Sequence, residues 1–249
     1  MEENLWRQLV DWFGDPAHWI GPEGVPTRVL EHVQISATAL LICLLIALPV
    51  GLYVGHARRM EFLAVSVANL GRAIPSLAIL AIVFQVTLKL RPESAFGFLP
   101  TVIAMVFLGI PPILTNAYVG IQSVDQDTLE AARGMGLRPR QVLARLEIPL
   151  AMPLIVGGIR TAAVQIVATA TLAAVISGGG LGRFIVDGFA GYDEGEMLAG
   201  VLLVAGLAIL TEAVFAGIER LATPRTQSRG RRRARTIRPD VEPIARPVS

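Results

Sequence analysis

The chain has 249 residues, of which 53% are hydrophobic and only 17% charged, and its mean hydropathy is +0.58. A soluble domain of this size carries about 25% charged residues, so composition excludes an ordinary water-soluble fold and points to an all-α protein of the lipid bilayer. The net charge of +2 says little, because an arginine-rich C-terminus dominates it. The single Cys43 excludes an intrachain disulfide and reads as a small apolar filler.

Residues 1–32 hold all three tryptophans, Trp6, Trp12 and Trp19. Helical spacing puts Leu5, Trp6, Leu9, Trp12 and Phe13 on one face, and Asp15-Pro16 ends the run. This pattern predicts a helix lying at the outer membrane interface, where indole rings prefer to sit. Packing on a partner subunit is the alternative.

Residues 33–220 form the membrane domain. Five apolar runs follow: Val33 to Tyr53, Phe62 to Leu88, Phe98 to Val119, Ile148 to Ile176 and Met197 to Ile218. Each has the roughly 20 residues that crossing about 30 Å of hydrocarbon requires. About five transmembrane helices are therefore expected. With the N-terminus outside, the inner segments hold Arg58, Arg59, Arg133, Arg138, Arg140, Arg145 and every arginine from Arg220 onward. The outer segments hold only Arg7, Arg28, Lys89, Arg91 and Arg183. The positive-inside bias favours N-out, C-in. Residues 221–249, rich in Arg, Pro, Ser and Thr, read as a disordered cytoplasmic tail able to meet anionic lipid.

Between the third and fourth runs lies a polar insert, EAARGMGLRPRQVLARLEIP, Glu130 to Pro149. Asp127 and Glu130 have capping-box spacing for a short helix through Ala131 and Ala132. Gly134 and Gly136 are expected to stop that helix in the left-handed conformation. Arg138-Pro139-Arg140 restarts one, with an apolar stripe at Val142, Leu143 and Leu146. Pro149 and Pro153 mark the return into the membrane. Two small alanines let another surface approach closely, and Glu130 offers a charged handle. The insert is thus shaped for a groove in a cytoplasmic partner.

These residues resemble the EAA loop of bacterial ABC importer permeases: Glu130-Ala131-Ala132, three residues, Gly136, nine residues, then Leu146-x-Ile148-Pro149. The family pattern ends Ile-x-Leu-Pro, so the apolar order is swapped here. RAIPSLAIL (Arg72 to Leu80), GIPPILTNAYVGI (Gly109 to Ile121) and VISGGGLGRFI (Val175 to Ile185) extend the likeness to permeases for glycine betaine, choline and carnitine. The resemblance implies a type I, methionine-importer-like architecture in the bacterial cytoplasmic membrane. It also implies a separate ABC ATPase docked on Glu130, Ala131, Ala132, Gly136 and Pro149, with ATP held there and no cofactor on this chain. A second permease, identical or homologous, and an extracytoplasmic solute-binding protein complete the implied assembly. Methionine-type permeases share much of the pattern and remain an alternative substrate class.

Two rival classes fit some of these residues. LEAARGMGLRPRQVLARL also has the layout of a helix-turn-helix, but that motif needs a third helix and a soluble core, and apolar spans begin on both sides. No nucleic-acid partner is expected. A secondary transporter or channel needs its own ion site at the midplane, for which the spans offer little beyond Arg160 and Glu212. An enzyme is not expected either, since no nucleophile stands with a base and no cluster has metal-ligand spacing. His18, His32 and His56 are scattered and read as structural or solvent-facing.

The remaining candidates concern the solute path. Gly178, Gly179, Gly180 and Gly182 do not match GxxxxGK[ST], and Lys89 is the only lysine, so they are no Walker loop. They read either as a flexible turn or, by the resemblance, as part of an outer gate where backbones approach closely. Arg160 and Glu212 are charges at membrane depth, for which pairing or a wet cavity is expected. Asn69, Pro75, Asn116 and Gln165 are pathway candidates, with Arg72 near the inner surface. Thr169 and Thr171 could line a path or bond between helices. Aromatic residues are few in the spans (Tyr53, Phe84, Phe107, Tyr118 and Phe215), so an aromatic cage for a quaternary ammonium is expected in the binding protein.

Overall fold

A computed structural model describes residues 2–58, 62, 66 and 73–222. Helix α1 (Glu2–Gly14) leads through a 3-10 turn (Pro16–Trp19), whose Asp15 side chain accepts the Ala17 N–H at 2.8 Å, into α2 (Val25–Ala57). The others are α3 (Ser76–Leu90), α4 (Phe98–Gln122), α5 (Gln126–Gly134), α6 (Pro139–Val142), α7 (Ile148–Thr169), α8 (Gly182–Gly191) and α9 (Glu194–Ala222). A π turn (Leu143–Glu147) joins α6 to α7, and a 3-10 segment (Ala170–Ile176) extends α7. Among the described residues there is no strand.

Three of the expected spans lie within α2, α4 and α9, each long and apolar enough to cross a bilayer, and the fourth lies in the continuous rod from Pro139 to Ile176. The second run differs. Its described helix, α3, has only 15 residues and begins after Pro75. Proline lacks an N–H and disfavours helix in the residue before it, so Phe62 to Leu88 is not one rod. Instead the Pro75 carbonyl accepts the N–H groups of Ala78 and Ile79. Helix α2 begins at Val25 and runs on through residue 32, where the apolar run of the membrane domain is expected to start. The tail from residue 223 lies outside the described residues.

The core is a bundle of α2, α4 and α7 with α3 against α4. It buries Ile35, Ala39, Cys43 and Ala47 of α2, Met105, Leu108 and Ile113 of α4, and Ala162 and Ile166 of α7. Lipid tails are as apolar as leucine, so such helices associate through close packing of small residues. A Cβ on Gly51 would sit 2.8 Å from the Ala117 Cβ, and one on Gly158 would sit 2.5 Å from the Asn116 Cβ. Glycine at these two positions lets α2 and α7 press onto opposite sides of α4. Cys43 is fully buried here, its thiol 3.5 Å from the Val106 carbonyl.

Helix α1 caps the bundle at the end where α2 begins. Leu9 and Trp12 are buried against Phe184 of α8 and Ala199 and Val204 of α9. The Trp12 ring stacks on His18 at 4.4 Å and meets Phe184 edge-on at 5.3 Å. The expected single apolar face therefore divides. Trp12 points into the protein, while Trp6 is 66% exposed on the other side. The reason is the neighbouring α8–α9 corner, which supplies apolar surface that the isolated sequence does not show.

Candidate functional site

At the opposite end of the bundle, α5 and α6 form a protruding hairpin. Asp125, not Asp127, is the N-cap of α5. Its Oδ2 accepts both the N–H and the hydroxyl of Thr128 at 3.0 Å. Asp127 lies inside the first turn, where its charge suits the helix dipole without closing a capping box. The helix ends in a Schellman turn: Gly136 N–H donates to the Arg133 carbonyl at 2.9 Å, and Leu137 N–H to the Ala132 carbonyl at 3.2 Å. Gly136 holds φ +86°, whereas Gly134 is still helical, so only one of the two glycines serves the turn.

The hairpin has its own small core of Val124, Leu129, Ala132 and Val142, with Leu137 and Leu146 against it. This corrects the reading of the alanine pair. Ala132 is buried in that core, and only Ala131 faces outward, beside Glu130. The exposed tip also carries Met135, 75% exposed, an apolar knob the sequence reading did not single out. After Arg138, whose N–H donates to Gln141 Oε1 at 2.8 Å, α6 passes through the π turn into α7. Pro149 sits exposed at the second position of α7, just after the π turn.

Two contacts tie this hairpin to α2. Glu147, only 1% exposed, is 2.5 Å from His56 Nδ1. The Arg58 guanidinium lies against the side-chain amide of Gln126, the first residue of α5. Neither pair was found in the sequence, where the partners lie far apart and carry no shared pattern.

At the α1 end, the glycine segment is not a free turn. Glu31 Oε2 accepts the Gly180 N–H at 2.8 Å and is paired with Arg28 at 3.0 Å. His32 is fully buried. Its Nδ1 accepts the Leu181 N–H at 3.3 Å, and its Nε2–H donates to the Val167 carbonyl at 2.9 Å. Those two partners require the neutral ring with the proton on Nε2. A Cβ at Gly179 would collide with the Glu31 carboxylate, and one at Gly182 with the Thr171 backbone. Beside this loop a polar cleft of about 640 Å³ is lined by His18, Glu23, Arg28, Glu31, Arg183 and Glu196 among others.

Arg160 of α7 meets two carboxylates of α9: Glu212 at 3.4 Å and Glu219 at 2.8 Å. Glu219 stands seven positions after Glu212, two helical turns on and on the same face, a spacing that could have flagged it. The other pathway candidates are less convergent. Asn116 donates to the Pro112 carbonyl at 2.8 Å, Thr169 to the Gln165 carbonyl at 2.7 Å, and Thr171 to the Ala168 carbonyl at 3.0 Å. They mainly satisfy their own helices rather than bridging between them, although the Thr169 hydroxyl also approaches the Met105 sulfur at 3.2 Å. Gln165 is half-buried. Asn69 and Arg72 lie outside the described residues.

This arrangement, a helical bundle with a capped two-helix hairpin at one end, is the fold of type I importer permeases. A structure of the MetNI methionine ABC transporter in inward-facing conformations superposes with a TM-score of 0.73 at 23% identity, over 84% of this chain and 99% of that one. Residues 47–228 match the family model "binding-protein-dependent transport system inner membrane component", and the chain belongs to that family. The choline transport system permease protein OpuBB of Bacillus subtilis (strain 168) is 35% identical over 197 residues, covering 79% of this chain and 88% of that protein. The carnitine transport permease protein OpuCB of Listeria monocytogenes is 33% identical over 217 residues, covering 87% and 94%. The chain is thus a multi-pass membrane permease subunit of an ABC importer rather than an enzyme, and its family implies an ATPase and a solute-binding protein as partners in general.

Proposed function

We propose that this permease imports quaternary-ammonium osmoprotectants such as glycine betaine, choline or carnitine. The relatives' names support that substrate class. The observation that carries the mechanism is the α5–α6 hairpin, a rigidly capped knuckle presenting Glu130, Ala131, Met135 and Gly136 to the surface. This hairpin docks on the ATPase. Closure of the ATPase dimer around ATP moves it, and the bundle alternates its access. The N-terminus and the glycine loop face outward and the hairpin faces the cytoplasm, in keeping with the arginine distribution.

Two permeases, identical or homologous, form one pathway. The face of α9 with Val201, Leu202, Ile209, Leu210 and Val214 is exposed in the single chain and suits a second helical surface or lipid. The Gly178–Gly182 segment is part of the outer gate, since its glycines allow the backbone to seat directly on α2. The test is uptake of labelled glycine betaine, choline, carnitine and methionine by cells deprived of their own importers and supplied with this permease, its ATPase and its binding protein. Uptake of a quaternary ammonium, uncompeted by methionine, is expected. Methionine uptake alone would assign the other branch of the fold.

A further inference from the structure

We propose that α2 is a strut joining the cytoplasmic hairpin to the glycine loop across the membrane, with His56 and Glu147 as the positioning residues of its inner attachment. The proposal rests on the reading of the hairpin as the ATPase contact. Helix α2 stays helical over 33 residues, passing through Pro49, where one backbone hydrogen bond is missing and the packing of Gly51 and Gly55 on α4 supports it. Near one end Glu31 and His32 hold the backbone N–H groups of Gly180 and Leu181. At the other, His56 holds Glu147, and Arg58 lies against the Gln126 side-chain amide. His32 and His56 are separated by about 36 Å of helix, at roughly 1.5 Å per residue, which exceeds the hydrocarbon thickness of about 30 Å. The same element therefore grips a loop on each side of the bilayer.

The inner attachment sits where the chain would otherwise yield. Glu147 is the last residue of the π turn between α6 and α7, and a widened turn is a weak joint in a helical rod. A buried carboxylate is costly without a partner, and Glu147 is 1% exposed with His56 Nδ1 at 2.5 Å. His56 holds the end of the π turn, and Arg58 lies against the start of α5, so the end of α2 meets both flanks of the hairpin. A displacement of the hairpin is thus delivered to α2. The close approach of Gly51 to Ala117 and of Gly55 to Ile121 makes α2 move together with α4. At the far end the glycine loop follows, because its backbone is bonded to α2 and its missing side chains leave it seated there. This is a contiguous chain of hydrogen bonds and packed helix, the physical form that site-to-site coupling takes.

The experiment uses the complete transporter of permease, ATPase and binding protein in a Cys43→Ser background. Ser177 is exposed beside the glycine loop, so Ser177→Cys reports there to a membrane-impermeant maleimide. Trapping the ATPase with ATP and vanadate is expected to change the labelling rate at position 177 by about fivefold or more, the low end of usual coupling between sites. His56→Leu and Glu147→Leu are each expected to abolish that change. The ATPase still co-purifies, because neither side chain belongs to the exposed tip. His56→Asn keeps an amide nitrogen near Nδ1 and is expected to keep the response.

The double variant His56→Leu/Glu147→Leu separates positioning from packing. Apolar replacement of both partners of a buried pair is often neutral for stability, so this variant is expected to fold even where a single one does not, yet to lack the response. A response like the parent's in the double variant would make the pair a packing element only and overturn the proposal. Labelling indifferent to nucleotide in a parent that hydrolyses ATP on adding solute would overturn the strut itself. Failure of the parent to bind its ATPase would instead overturn the reading of the hairpin.

Discussion

At Gly136 the backbone adopts φ +86° with no atom within 4 Å of where a Cβ would lie. A side chain there meets a conformational cost and no collision. For an L-residue that cost is about 1–2 kcal/mol, too little to unfold the bundle but enough to reshape the Schellman turn. Gly136→Leu is expected to leave the detergent-purified permease monodisperse while solute-stimulated ATP hydrolysis falls about tenfold, the factor that roughly 1.4 kcal/mol represents. Gly136→Asn, which tolerates the left-handed region, is expected to keep most of it. Normal stimulation in the leucine variant would remove Gly136 as a pivot. Glu130, exposed two residues before Ala132, is expected to act on the ATPase and not on solute. Glu130→Lys should reduce ATPase co-purification while solute binding by the separate binding protein stays unchanged. Gly136 was legible because few residues other than glycine occupy such a turn. Asp125 was not, because two acids two residues apart compete for the cap, and the Thr128 hydroxyl decides between them. Glu31 and His32 were out of reach, since their partners Gly180 and Leu181 lie in a remote part of the chain.

Among the elements, the pair α7 and α9 is joined by charge. Arg160 faces Glu212 and Glu219, and its side chain is 34% exposed. Removing the guanidinium alone takes away the cation that Glu212 and Glu219 share. Arg160→Met is therefore expected to lower stability by about 1–2 kcal/mol, less than for a fully buried pair because solvent or lipid headgroups reach the site. The triple variant Arg160→Met/Glu212→Gln/Glu219→Gln removes the charges together and is expected to unfold at a higher temperature than Arg160→Met. Thermal melts in detergent decide it, and equal midpoints would mean the three charges do not act as a unit. The helices themselves were readable from apolar run length. Their breaks were partly so: Pro75 announces the start of α3, but nothing in LARLE announces a π turn, which arises where α6 must continue into a helix whose second residue is Pro149.

For the whole molecule, orientation decides whether the hairpin can meet an ATPase at all. The fold constrains the answer further than charge does. Helix α1, the start of α2 and the glycine loop share one end, bonded through Glu31 and His32. The hairpin and His56 share the other. The two ends must therefore lie on opposite sides, and fixing one residue fixes all. Val10 is a suitable reporter, being 67% exposed on α1. In a Cys43→Ser background, Val10→Cys is expected to react with an impermeant thiol reagent in intact cells. Ser228→Cys, on the arginine-bearing side, is expected to react only after the membrane is opened. The positive-inside bias arises from juxtamembrane arginines, and Arg133, Arg138, Arg140 and Arg145 all lie on or beside the hairpin. They favour the inner side for the hairpin without recourse to the tail. Labelling of position 228 and not of position 10 in intact cells would place the hairpin outside, away from any cytoplasmic ATPase, and would overturn the docking role of Glu130 and Gly136 together with the orientation.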